Sequence, residues 1–336
     1  MALTAALWIV RRRRHTTGAL DMRALVFDGE LRVTELPIPR PGEGEALIRV
    51  LTAGICNTDL EILRGYLGFR GVPGHEFVGV VEQCANPNLQ GKRVTGEINC
   101  VCHKCPFCQL EMPHHCLNRT VLGIAGRQGA FAEFVTLPEE NLHIVPASIR
   151  DDVAVFTEPL AAAFRIVEQI PVTANDRVVV LGDGKLGQLC AQVLWLLTKK
   201  LLCIGKHEWK LALLNALHIP TALKDDPVER NVDMVVEATG SPEGIARALE
   251  LVRPEGAIVL KTTLADTGPL NLSLPVINEI RIIGSRCGPF RPALEALASN
   301  TVEVRPMITE TYELRDADVA MQRAAAPDVL KVLLHI

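Results

Sequence analysis

The run VVVLGDGKLGQLCAQVLWLLTK, residues 178–199, passes from four apolar residues into a glycine pattern and then into a helical stretch. Gly182, Gly184 and Gly187 form a GxGxxG at the junction. Alone this pattern is weak, since turns use glycine freely. With a strand before it and a helix after it, the glycines let backbone approach a pyrophosphate, and the helix N-terminus favours its charge. The stretch therefore predicts a dinucleotide-binding βαβ unit.

Working outward, the same alternation continues through LLCIG (201–205), DMVVEATG (233–240), SPEGIARALELV (241–252), AIVLKTT (257–263) and IRIIGS (280–285). Apolar strands alternating with helices imply a doubly wound parallel sheet. Upstream the pattern is different. ALVF, LRVTEL, EALIRVLTAG, FVGVVE and FAEFVTL are short β-rich segments punctuated by Gly, Pro and polar turns. The fold class is thus α/β plus β, with a β domain over 22–150, a dinucleotide-binding domain over 151–286, and residues 287–336 returning to the first domain. DVLKVLLHI at the end reads as a helix end running into a last strand.

The bulk numbers fit an enzyme-sized globular chain of 336 residues, 48% hydrophobic and 22% charged. A net charge of -4 offers no basic field, which argues against nucleic acid and gives no electrostatic reason to bind a membrane. No run approaches the roughly 18 to 20 apolar residues of a membrane span. Residues 1–21 read as an extension outside the fold. Apolar Ala2 to Val10 precedes the Arg11 to Arg14 cluster, the reverse of a secretory signal. The Arg-rich, acid-free start resembles a transit peptide, while Met22 reads as a second candidate start. A cytoplasmic chain is expected, with organelle targeting by residues 1–21 as the alternative.

Ten cysteines are present, and five fall within CVCHKCPFCQLEMPHHC, residues 100–116. Cys102, Cys105, Cys108 and Cys116 have the spacing CxxCxxCx7C, which lets a short loop wrap four sulfurs around one ion. Disulfides would require a secreted protein, which nothing else marks. A ferredoxin-type iron–sulfur run would continue with CxxxCP, and this one does not. Zinc is the expected metal. Four thiolates leave no open position, so the site staples a loop rather than doing chemistry. Cys100 is left over, as a bystander or a substitute ligand.

A second set is spread along the chain. GICNTDLE supplies Cys56, Thr58, Asp59 and Glu61; GHEFVGVVE supplies His75 and Glu76; FTEPLAAA supplies Glu158. Each is weak singly, since a lone Cys is usually a small core residue and a lone Glu often sits at a helix start. Together they offer one thiolate, one imidazole and one carboxylate, the mixed set that leaves a zinc position open.

These motifs, in this order, resemble the zinc-dependent medium-chain dehydrogenase/reductase family of alcohol, polyol and glucose dehydrogenases, over nearly the whole chain from Met22. The resemblance implies a GroES-like β-barrel domain joined to a Rossmann domain, with the active site in the cleft between them. It implies one catalytic zinc held by Cys56, His75 and either Glu76 or Glu158, and one structural zinc. Thr58 would take the substrate proton, and Asp59 would orient the ligands. Glu61 stands where many alcohol dehydrogenases have a relay histidine, a departure that leans toward polyols and sugars. The implied activity is hydride transfer between a secondary alcohol, polyol or sugar hydroxyl and a nicotinamide cofactor, in a homodimer or homotetramer. The Rossmann edge near LNLSLPVINEIRIIGS would supply the subunit contact. Rival readings are a zinc-free quinone or enone reductase, or a non-catalytic nucleotide-binding member of the same superfamily.

NAD sites place an acid on the adenosine ribose about twenty residues after the glycines. Here Gly205 stands at that position, followed by Lys206 and His207. A missing carboxylate removes repulsion against a 2'-phosphate, so the sequence favours NADP over NAD, with Glu208 as the nearest acid that would favour NAD.

Overall fold

The computed structural model describes residues 21–263 and 273–336. The predicted N-terminal extension lies outside them except for Asp21, which opens the strand Asp21–Phe27 and pairs with Pro37.

Val178–Leu181 is the centre of a six-stranded, wholly parallel sheet. Its spatial order is Thr221–Leu223, Leu201–Gly205, Val178–Leu181, Val232–Glu237, Val252–Leu260, Arg281–Gly284. Numbered by sequence this is 3-2-1-4-5-6, the dinucleotide-binding order, with the first strand at the point where the winding reverses. The run is apolar at every position because both faces are covered. Val178 and Val180 enter one core with the helices Thr157–Gln169 and Lys185–Trp195, while Val179 and Leu181 enter another with Ala248 and Leu251 of Glu243–Leu251.

The N-terminal half is built on a seven-stranded sheet in which Glu45–Gly54 is central. This strand alternates buried and half-buried residues along most of its length, as expected for a sheet with one better-covered face. It pairs with Glu76–Gln83 on one side and with Lys331–His335 on the other. Ile308–Glu313 and Lys331–His335 thus carry the chain back into the first domain. The return expected from residue 287 is made by these strands. The helix Phe290–Ala298 before them buries Phe290, Ala293 and Leu294 in the core it shares with Thr157–Gln169.

Arg281–Gly284 lies at one edge of the parallel sheet. Residues 270–272 of the segment expected to form a subunit contact lie outside the described residues. Among the described residues no helix is long and apolar enough to cross a membrane.

Candidate active site

Cys56 is the residue before the helix Asn57–Leu63, immediately after the central strand ends at Gly54. Asp59, fully buried, ties this corner together. Its Oδ2 accepts a hydrogen bond from the Cys56 backbone N–H at 2.8 Å, and its Oδ1 accepts one from the Gly74 N–H at 3.2 Å. Oδ1 also lies 3.2 Å from Nδ1 of His75. One carboxylate therefore positions the loops that present Cys56 and His75.

A thiolate, an imidazole and a carboxylate converge here. Donor atoms of Cys56, His75 and Glu76 all lie within 4.8 Å of one another, a spacing that one ion can bridge. Burial opposes charge on the His75 ring, but Asp59 and Cys56 outweigh it and raise its pKa well above the ordinary value. So electronegative a corner suits a cation. Glu158, at the start of Thr157–Gln169, lies outside this donor group. Burial pushes its carboxyl up to about 7; His75 opposes the shift, Glu76 adds to it, and Lys331 and Lys261 oppose it. Thr58 Oγ1 lies 3.8 Å from Cys56 Sγ. Glu61 is engaged by Arg64 one turn along the same helix, at 2.7 Å.

Lys331 was not legible as a site residue. Its ammonium forms a buried ion pair with Oε2 of Glu76, each side chain 1% exposed. Glu76 and Lys331 come from strands that flank the central one. Removing one partner of a buried pair strands the other charge. In chelator-treated protein, Lys331→Met is expected to lower unfolding free energy by about 3–5 kcal/mol. Urea titration beside equally treated wild type checks this, and an unchanged midpoint would reject it.

The glycine motif lies beside the Cys56 helix. A cavity of about 260 Å³ is lined by Asn57 and Leu60 from the Cys56 helix, by Gly184 and Lys185, and by Pro327. Gly184 precedes Lys185–Trp195, and a Cβ there would meet nothing within 4 Å, so the space before the first turn is open. A Cβ on Gly187 would lie 2.0 Å from the Gly182 carbonyl oxygen, so only glycine lets the helix start so close to the strand. Open amides at the helix start and a close-packed third glycine fit a dinucleotide pyrophosphate. Burial pushes the Lys185 pKa down and Lys331 adds to this, while Cys56, Glu76 and Asp59 oppose it.

Gly205 ends its strand as expected, but the space beside it is filled. Asp183, from the middle of the glycine motif, brings its carboxylate to where a side chain on residue 205 would begin. Sequence reasoning missed this residue. The available signal was an acid inside a loop meant for phosphate.

The four predicted thiols of the loop also converge. Sulfur–sulfur distances are 3.5 Å for Cys105–Cys108, 3.8 Å for Cys105–Cys116 and 3.5 Å for Cys102–Cys116. A tetrahedron with zinc–sulfur bonds of about 2.3 Å has edges of about 3.8 Å. The Lys104 backbone N–H, with the Asn118 amide, draws the Cys102 thiol down to about 6, whereas burial, Cys105 and Cys116 push Cys108 up to about 12. Cys100 is buried outside this group.

Residues 42–147 match the alcohol dehydrogenase GroES-like domain. The chain is 28% identical to sorbitol dehydrogenase of Halalkalibacterium halodurans, over 93% of this chain and 99% of that protein. It is 31% identical to L-threonine 3-dehydrogenase of Streptomyces coelicolor, again over 93% and 99%. The chain belongs to the zinc-binding medium-chain dehydrogenase family. Two solved structures extend the likeness. One is the alcohol dehydrogenase of Thermus sp. ATN1, at 28% identity and TM-score 0.84, covering 94% of this chain and 99% of that one. The other, a Sinorhizobium meliloti protein assigned as a zinc-binding dehydrogenase and solved with NADP, has 27% identity and TM-score 0.85, with the same coverages. This dehydrogenase is an oxidoreductase of the alcohol and polyol type. Its two halves are the GroES-like and Rossmann domains, and the cavity beside the glycine motif is lined from both.

Proposed function

We infer that this dehydrogenase oxidises a secondary hydroxyl of a polyol or sugar, with one zinc held by Cys56, His75 and Glu76 and a second by Cys102, Cys105, Cys108 and Cys116. The observation that carries the reading is the mixed donor group within 4.8 Å, beside the helix whose Asn57 and Leu60 line a cavity with the glycine loop. Three protein donors of mixed type leave a tetrahedral ion one position for substrate, whereas four thiolates leave none. The sorbitol and threonine dehydrogenase relatives support a hydroxyl-bearing small molecule as substrate.

When bound, zinc supplies Lewis-acid polarisation of a substrate oxygen, and the nicotinamide supplies the hydride acceptor. The residues do the rest. Asp59 holds the Cys56 corner and the His75 loop in one geometry. Glu76 is the third donor because its carboxylate, unlike that of Glu158, falls within the group, and Lys331 fixes its orientation. Thr58, whose Oγ1 lies beside Cys56, takes the role of accepting the hydroxyl proton and passing it on. Glu61 stands further along that helix, paired with Arg64 in place of a relay histidine. The sequence preference for NADP rested on a residue-205 site free of carboxylate, and Asp183 now stands beside it.

Metal analysis with turnover on alcohols, polyols, aldoses and amino-alcohols, each offered NAD and NADP, tests the reading. Two zincs per chain and dinucleotide reduction with polyols or sugars are expected. One zinc and no turnover would favour the zinc-free or non-catalytic readings.

A further inference from the structure

We propose that Asp183, the acid inside the glycine motif, is the residue that selects the dinucleotide, and that it selects NAD by occupying the pocket a 2'-phosphate would need. The proposal rests on the nicotinamide-dinucleotide reading above and deepens it.

The end of the second parallel strand is where this architecture distinguishes the two dinucleotides, by an acid that binds the ribose hydroxyl or a cation that accepts the phosphate. In this chain that strand ends at Gly205. The next two backbone N–H groups, of Lys206 and His207, point at one place, as successive amides do when they form an anion site. Both donate to Oδ2 of Asp183, at 2.7 and 2.6 Å. Nδ1 of His207 lies 3.0 Å from the same oxygen and 3.2 Å from Oδ1. The Asp183 side chain is 8% exposed.

Only glycine at 205 permits this arrangement. A Cβ there would fall 2.6 Å from both Cβ and Oδ2 of Asp183. The missing strand-end acid and the extra loop acid are therefore one substitution in space, with the carboxylate delivered from the first strand–helix turn instead of the second strand.

The consequence for ligand choice follows from charge and hydrogen-bond count. The amides that would receive a phosphate are already saturated by a carboxylate, and a dianion brought there would meet a fixed negative charge. A ribose hydroxyl meets the opposite situation, because among the described residues Oδ1 of Asp183 faces only the His207 ring and keeps acceptor capacity. Lys206, which from sequence looked like a phosphate attractor, contributes its backbone N–H to holding Asp183. The NADP bound by the Sinorhizobium meliloti relative is compatible with this, since at 27% identity the two proteins are free to differ in this loop.

Calorimetric titration of the full-length, zinc-loaded protein with NADH and with NADPH tests the proposal without turnover. Wild type is expected to bind NADH at least about tenfold more tightly. Asp183→Asn keeps the size and one acceptor oxygen but removes the charge, and it is expected to narrow that ratio by about tenfold or more, chiefly through tighter NADPH. Wild type binding NADPH as tightly as NADH would overturn the proposal before any variant is made, so it does not depend on the variant folding. An unchanged ratio in a folded Asp183→Asn would overturn it too. Binding of neither dinucleotide would fail the reading beneath it, a result distinct from binding without discrimination.

Discussion

Cys56→Ser is expected to lower kcat/KM by about a thousandfold or more, equivalent to about 4 kcal/mol of transition-state stabilisation, while the affinity for NADH stays within about threefold and the chain stays folded. The three outcomes separate because Cys56 has separable roles. Its backbone N–H donates to Asp59, and serine retains that bond, so the corner between the central strand and the helix Asn57–Leu63 keeps its shape. Its sulfur is the only thiolate in the donor group with His75 and Glu76, and a neutral hydroxyl is a much weaker zinc ligand. The glycine loop and Asp183 lie on the other domain and keep their own hydrogen bonds. Metal analysis should find the catalytic zinc lost and the four-cysteine zinc retained. Full turnover in a variant shown to retain both ions would remove Cys56 from the site.

Much of this architecture was legible because its strands carry strong local signals. EALIRVLTAG coincides with the strand Glu45–Gly54, and LLCIG with Leu201–Gly205. Helix Glu243–Leu251 sits inside SPEGIARALELV. The third strand of the parallel sheet, Thr221–Leu223, was not seen. It is three half-buried residues at a sheet edge, too short for any periodicity. The site divides in the same way. Cys56, His75 and Glu76 belong to compact motifs, and so do the four loop cysteines. Lys331 is a single cation in an apolar stretch, and its meaning depends on a strand pairing with the first domain more than two hundred residues away, which no window in the sequence contains. Asp183 was visible as a letter and silent as a contact, since its partners arrive with the next strand. Nor does any window in the sequence show that the carboxylate of Glu76, and not that of Glu158, groups with Cys56 and His75.

The second large effect is structural. Cys116→Ser is expected to drop the zinc content by one per chain and to unfold the loop over residues 101–119, raising its proteolytic cleavage about tenfold or more. The segment has little else to hold it. Its regular elements are the four-residue helix Pro106–Gln109 and the single 3-10 turn Pro113–His115. Leu110, Met112 and Leu117 are exposed, whereas Cys116 is fully buried among the other sulfurs. With so little apolar burial, metal binding is the folding energy of the loop, and structural zinc in comparably small units contributes about 10–16 kcal/mol of apparent binding free energy. Removing one of four thiolates forfeits most of that. The rest of the β domain has its own core and should persist, so proteolysis followed by mass analysis should find cuts concentrated between Val101 and Arg119. Activity should fall less than in Cys56→Ser, through a strut from the loop to the other domain, the Arg286 guanidinium donating to the His114 carbonyl at 2.8 Å. Cys100→Ser is the matched control: an equally conservative change in a buried cysteine outside the cluster should leave the zinc in place. Equal zinc loss in both variants would mean that Cys100 is a ligand, and equal zinc retention would mean that Cys116 is not needed to hold the ion.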